Sequence, residues 1–272
     1  MALNGQSTSN FNLYKPSLTD SPPDITSTNE NWDKIDTELK RLGDVGLPAN
    51  VRNKLPSAVA STESKHIYMS PTGDDAADGT ESHPIKNIST AIARFGGTAR
   101  LFLHFNAGTY AENNAIEVSG CTAVEFLAMD GASVVIRGTY TQHCGYFVAK
   151  NIKFESTADA LVLNCMSFSV EDCTFTTTNT AVTARFGAVG IVSNCIFTNC
   201  GRAIWASSGS YVATNTISGT GNTEGYRTTA SIITVGTSTI EATTLASKYG
   251  GGVIFRNGNL IGTTANTFVN AT

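Results

Sequence analysis

The chain has 272 residues, 41% of them hydrophobic, which is enough apolar material for one sizeable folded domain with accessory segments and too much for a disordered chain. Its 18 basic and 22 acidic residues leave a net charge of −4 with no long run of either sign, so the basic footprint of a nucleic-acid binder is absent. The first 20 residues are polar and no apolar stretch is long enough to span a bilayer, so neither a Sec-type leader nor membrane insertion is expected.

Residues 1–26 hold Pro16, Pro22 and Pro23 among Ser, Thr and Asn without a steady period, and are expected to form an extended arm. Ser27 and Glu30 make a capping box, after which Trp32, Ile35, Leu39 and Leu42 recur at steps of 3, 4 and 3 residues. This predicts a short coiled-coil helix over 27–43, with these four residues as trimer contacts. Two heptads are too few to associate alone, so trimerisation elsewhere must support them. Residues 44–65, with Gly46, Pro48 and Pro56, are expected to be a linker.

The run Asn12-Leu13-Tyr14-Lys15-Pro16, followed by Asp24-Ile25 and Asn31-Trp32-Asp33-Lys34-Ile35-Asp36, resembles the N-terminal attachment segment of tail proteins from phages of Gram-positive bacteria and from related contractile tailocins. The resemblance is local, about 35 residues. It implies docking on baseplate or tail proteins, a distal domain that meets the host, and a place in the virion or tailocin tail after synthesis in the bacterial cytoplasm.

Residues 66–98 are expected to supply an opening strand and a capping helix. Pro84 suits a first helical turn, and Ile85, Ile88, Ile92 and Phe95 fall on one face, so 84–95 would plug the open end of a sheet. Asp74, Asp75 and Asp78 depart from the EF-hand order of ligands and are read as turn formers.

The run Tyr68-Met69-Ser70-Pro71-Thr72-Gly73-Asp74-Asp75, with Asp78-Gly79-Thr80, Pro84-Ile85-Lys86, Ala91-Ile92 and later Gly108-Thr109-Tyr110, resembles the opening signature of the pectate-lyase-like superfamily of β-helix proteins. The resemblance covers about residues 66–260. It implies a right-handed parallel β-helix and specifies fold more than activity, since the superfamily includes polysaccharide lyases and hydrolases.

Residues 99–272 carry internal repeats. Asn151-Ile152-Lys153-Phe154, Asp172-Cys173-Thr174-Phe175, Asn194-Cys195-Ile196-Phe197 and Asn215-Thr216-Ile217-Ser218 begin at steps of 21, 22 and 21 residues. Leu161, Val182, Ile204 and Tyr226 form a second column at steps of 21, 22 and 22. Short strand-like alternation between polar turns cannot bury an apolar face alone, so the units must stack on one another. The fold class is therefore mainly β, a parallel β-helix of about 21–22 residues per coil. A leucine-rich repeat is rejected because its leucines and helical segments are missing. Asn151, Asp172, Asn194 and Asn215 are expected to form a turn ladder, and Phe154, Phe175 and Phe197 an internal stack. Cys144 to Cys165 is 21 residues and Cys173 to Cys195 is 22, matching this period, so the six cysteines are expected to be buried thiols rather than disulfides.

Paired carboxylates would mark a glycosidase, and a base beside a cationic clamp a lyase. Glu155 is expected to stack with Thr176 and Thr198, and Asp159 with Thr180 and Arg202, so no catalytic pair emerges. Asp172 belongs to the turn ladder and Glu171 is a lone outward acid. The histidines His66, His83, His104 and His143 share no metal-site spacing, so no metal and no cofactor is expected. The outward column Val162, Thr183, Trp205 and Arg227 puts an indole one coil from a guanidinium. A sugar can lie on the indole, and arginine can fork onto an acidic sugar or the phosphate of teichoic acid, so Thr183, Trp205 and Arg227 are candidate glycan-binding residues. A subunit interface explains the same tryptophan equally well. The column Lys153, Thr174, Ile196, Ile217 becomes apolar, so Ile196 and Ile217 are expected at a trimer axis. These readings describe a homotrimeric tail spike or fibre that binds bacterial surface polysaccharide. A depolymerase with an intersubunit site and a purely structural baseplate component are the alternatives.

Overall fold

The computed structural model describes residues 6–7, 14–15, 37, 61–111, 116–118, 122–256 and 268–270. The chain divides into two units, 1–59 and 60–272. In the first, Gln6–Ser7 pairs antiparallel with Tyr14–Lys15, and Thr37 is helical. Trp32, Ile35, Leu39 and Leu42 of the expected coiled coil lie outside the described residues, as do most of the expected arm and linker.

The second unit is a parallel β-solenoid. Nine strands, from Ser61–Met69 and Thr98–Phe105 at one end to Ile232–Val235 and Val253–Arg256 at the other, form one sheet in which the neighbours are parallel. A second sheet of 13 strands holds two rows, one through Lys153–Ser156 and Thr174–Thr177, the other through Leu161–Leu163, Thr180–Ala184 and Arg202–Ser207. The long strand Ile217–Thr229 joins the two rows. Each coil thus lays down one strand per row, and most equivalent residues are 21 to 23 apart.

Alternation explains the core. Phe154, Phe175 and Phe197 pair in register, are fully buried, and stack with 5.1 Å between successive ring centroids. Leu161, Val182, Ile204 and Tyr226 form a second buried column. Cys144, Cys165, Cys173, Cys195 and Cys200 are buried free thiols, as the spacing requires. Burial pushes Cys144 and Cys200 up to about 11 and Cys165 to about 12, because a thiolate is poorly solvated there.

The turn ladder needs correction. Asn151, Asp172 and Asn194 take left-handed backbone at φ 58°, 53° and 53°, and the fourth member is Thr216 at φ 51°, not Asn215. Ser193 pairs with Asn215 and Ile196 with Ser218, so this step is 22 residues rather than 21. A slip of one residue exchanges the faces of a strand, and Ile217 therefore continues the buried column Ile152, Cys173, Cys195 at 1% exposure. It is a core residue and cannot be a trimer contact. The amide ladder is also absent among the described residues, where Asn151, Asp172 and Asn194 make no side-chain hydrogen bond to one another. Their tolerance of left-handed backbone selects them instead.

The opening coil differs in two ways. The first strand starts at Ser61, so residues 61–65 are not linker. The helix spans Ile88–Phe95, and Ile85 instead bridges Met69. Asp75 fixes that start by accepting the Asn87 backbone N–H at 2.8 Å and its side-chain amide at 2.5 Å. Ile85 meanwhile exchanges backbone hydrogen bonds with the end of the first strand, donating to Tyr68 and accepting from Ser70. The helix buries Ile88, Ala91 and Ile92 in the core cluster with Ile67 and Met69 of the terminal strand, consistent with a plug. Asp74 and Asp78 accept the N–H groups of Ala76 and Thr80, which makes them turn formers. Gly108 sits at φ 136° with a would-be Cβ 2.5 Å from Pro71, and the Tyr110 hydroxyl lies 2.9 Å from the carbonyls of Met69 and Asn106. The Gly-Thr-Tyr run thereby locks the first coil to the Ser70-Pro71 turn.

Candidate functional site

The site is built on the row of strands that ends in Arg202–Ser207 and Ile217–Thr229. Pairing places Val162, Thr183, Trp205 and Arg227 in one column, as expected. The column is not uniformly exposed: Val162 is buried and Thr183 is completely so, while Trp205 and Arg227 remain half-buried. Thr183 therefore supports the site from beneath.

Three guanidiniums stand over the indole. The Cζ atoms of Arg185 and Arg202 are each 5.1 Å from the Trp205 ring, and that of Arg227 is 5.6 Å away. Arg227 also lies 4.3 Å from the Tyr249 ring. Cation–π attraction holds each head group over a ring and takes up ring face that a sugar would otherwise use. The arrangement is thus an arginine cluster backed by aromatic rings more than an open apolar platform.

Two carboxylates position the cluster. Arg202 Nε donates to Glu224 Oε2 at 2.6 Å and its Nη1 to Thr180 Oγ1 at 2.9 Å. Arg227 Nη1 lies 3.7 Å from the same Glu224 oxygen, and Ser247 donates to the other. Arg185 Nη2 is 3.9 Å from Asp159 Oδ2, while Asp159 Oδ1 accepts the Thr180 N–H at 3.0 Å. Three cations against two anions leave a local positive excess on an acidic chain. A guanidinium has five N–H donors, and these contacts use few of them. Arg227 Nε and Thr183 Oγ1 are buried without a hydrogen-bond partner among the described residues. Buried orphans of this kind cost free energy unless a ligand or water satisfies them. The cluster can therefore fork onto carboxylates or phosphates.

Arg185, Glu224 and Tyr249 were missed by column reading. Arg185 is two residues beyond Thr183 but just past the end of the strand Thr180–Ala184, so a reading confined to strand columns does not reach it. Glu224 stacks directly on Arg202, and this pair was legible at the 22-residue step. Asp159 and Glu224 lie in coils too far apart to form a glycosidase pair, and each is held by arginine. Other outward acids are tied likewise, Glu125 to Arg100 and Glu155 to Arg137 and Lys153. No three His, Cys, Asp or Glu side chains converge on a possible metal position among the described residues.

Away from this cluster, His66 Nδ1 and His104 Nε2 meet at 2.9 Å, and His66 stacks on Phe102. Their 38-residue separation hides this pair from a 22-residue repeat, because the opening coil also contains the helix. His104 also borders a shallow groove of about 410 Å³ with Met129, Asp130 and Lys150. Ile196 is 45% exposed on the other row of the large sheet, without Ile217 beside it.

No known protein family matches the chain, and no curated protein matches it. A pectate lyase, Pel9A, is a similar solved structure, with 15% identity, a TM-score of 0.27, and coverage of 80% of this chain and 81% of that one. The solenoid assignment rests on the strand registers of this chain itself.

Proposed function

We propose that the chain is a phage or tailocin tail spike or fibre component whose N-terminal arm joins baseplate or tail proteins and whose β-helix binds an acidic bacterial surface glycan. Homotrimeric assembly belongs to the same reading. The observation that carries the binding role is the cluster of the half-buried Arg185, Arg202 and Arg227 over Trp205, three guanidiniums set against two carboxylates. Polysaccharide and teichoic acid both present repeated anionic groups that such donors can fork onto. The tail role is supported by the Asn31–Asp36 resemblance.

The test is incubation of the purified protein with cell walls and capsule from candidate hosts, following both pelleting and soluble sugar. Pelleting without sugar release, reduced about tenfold or more in affinity by Trp205→Ala, is the expected result. Release of defined oligosaccharides would instead establish a depolymerase, and neither pelleting nor release would leave the structural baseplate role.

A further inference from the structure

The outward side of the nine-stranded sheet changes character along the solenoid. One outward column runs through Tyr146, Ser167, Val189, Tyr211, Ile232 and Val253. The next runs through Val148, Ser169, Ile191, Ala213, Thr234 and Phe255. Towards the first coil these columns carry Arg100, His66 and Glu125, but from Ser167 onward neither holds a charged side chain. Val189 is 48% exposed, Phe255 54%, and Ile191, Tyr211, Ile232 and Val253 between 37% and 39%. Met166 and Phe186, 79% and 73% exposed, stand at the corners just before two of these strands.

Outward positions of the other two rows carry mainly Thr, Lys, Arg, Glu and Ser, so this concentration of large apolar side chains belongs to one face. Weighted by exposure, the eight residues present on the order of 800 Å² of accessible surface, most of it apolar, about one partner's share of a standard interface.

We infer that this face packs against a second copy of the same chain. Past the opening coils, charge on this face is confined to the ion-paired Lys150 and Glu171 beside the two columns, so from Val189 onward the columns offer nothing with which to select a foreign partner, and two copies of an acidic chain can approach there without repulsion. The patch is also a ladder of like side chains at a rung spacing of about 4.8 Å, which an axially aligned copy matches with its own repeat. This surface replaces the pairing of Ile196 with Ile217. It rests on the self-assembly proposed above, to which it assigns the contact face, but not on the glycan-binding reading, because Trp205 lies on the other sheet.

The full chain is measured by sedimentation velocity at micromolar concentration, alongside Tyr211→Glu/Ile232→Glu and the other-face control Ile196→Glu. The wild type and the control should sediment as an oligomer, and the double variant at the 28.6 kDa of one chain with an unchanged circular dichroism spectrum. In parallel, Thr234→Cys treated with a bifunctional thiol reagent should give cross-linked chains absent from the wild type, a readout that does not depend on the glutamates being tolerated. A monomeric wild type, a double variant that keeps the oligomeric mass, or no cross-link at Cys introduced at 234 would overturn the inference. Loss of oligomer with glycan pelleting retained, or the reverse, separates its failure from that of the proposed function.

Discussion

Replacing Thr216 by asparagine tests the corrected register directly. Thr216 occupies the corner that Asn151, Asp172 and Asn194 occupy in the preceding coils, with φ 51°. A β-branched residue there sets its Cβ against the neighbouring carbonyl, at a cost of roughly 1–2 kcal/mol, whereas asparagine visits this region readily. Thr216 and Asn194 are both exposed and neither side chain hydrogen-bonds within the described residues, so the backbone term dominates the difference. Thr216→Asn should therefore raise stability by about 1 kcal/mol, and Asn194→Thr should lower it by about the same. For a folded unit of this size each should move the thermal midpoint by about 2–4 °C, in opposite directions, with matching shifts of the urea midpoint. An unchanged or lowered midpoint for Thr216→Asn, together with a neutral Asn194→Thr, would refute the argument that backbone conformation selects these corner residues.

Two further outcomes follow from the core. Phe175→Ala removes the middle ring of the stack and should cost about 3–5 kcal/mol, while Phe175→Leu should cost much less, both read from urea unfolding. Because the folded thiols of Cys144, Cys165 and Cys200 ionise above the ordinary value of 9.0, the unfolded chain loses protons first as pH rises. Stability should therefore be full below pH 9 and fall between about pH 9 and 12, with a shallower fall in the triple Cys→Ala variant; an identical slope would contradict the burial assignment.

The sequence carried the solenoid because in-register stacking repeats the same demand every coil. Phe154, Phe175 and Phe197, and Leu161, Val182, Ile204 and Tyr226, are each a single steric requirement written several times. The errors arose where a coil changed length or chemistry. At Asn215 an asparagine beside the true corner, Thr216, disguised a 22-residue step, and Ile217 was read as outward although it fills the core. In the opening coil the inserted helix separated His66 from His104 by more than one period. The binding face was half legible: Trp205 and Arg227 lay in a clean column and Glu224 falls one 22-residue step from Arg202, but Arg185 reaches the indole from beyond the end of its strand and Tyr249 meets Arg227 across coils. Such contacts depend on side-chain reach, which periodicity does not encode.

The central claim is that the arginine cluster over Trp205 holds an anionic glycan. The most direct measurement is titration calorimetry of the full chain with purified wall teichoic acid and acidic capsule fragments, comparing the wild type with Arg185→Gln, Arg202→Gln, Arg227→Gln and Ile196→Glu. Binding that weakens with added salt, falls severalfold or more with each arginine variant and is unchanged in Ile196→Glu is the predicted result. Binding of equal strength in all variants, or heat only with uncharged oligosaccharides, would contradict the account.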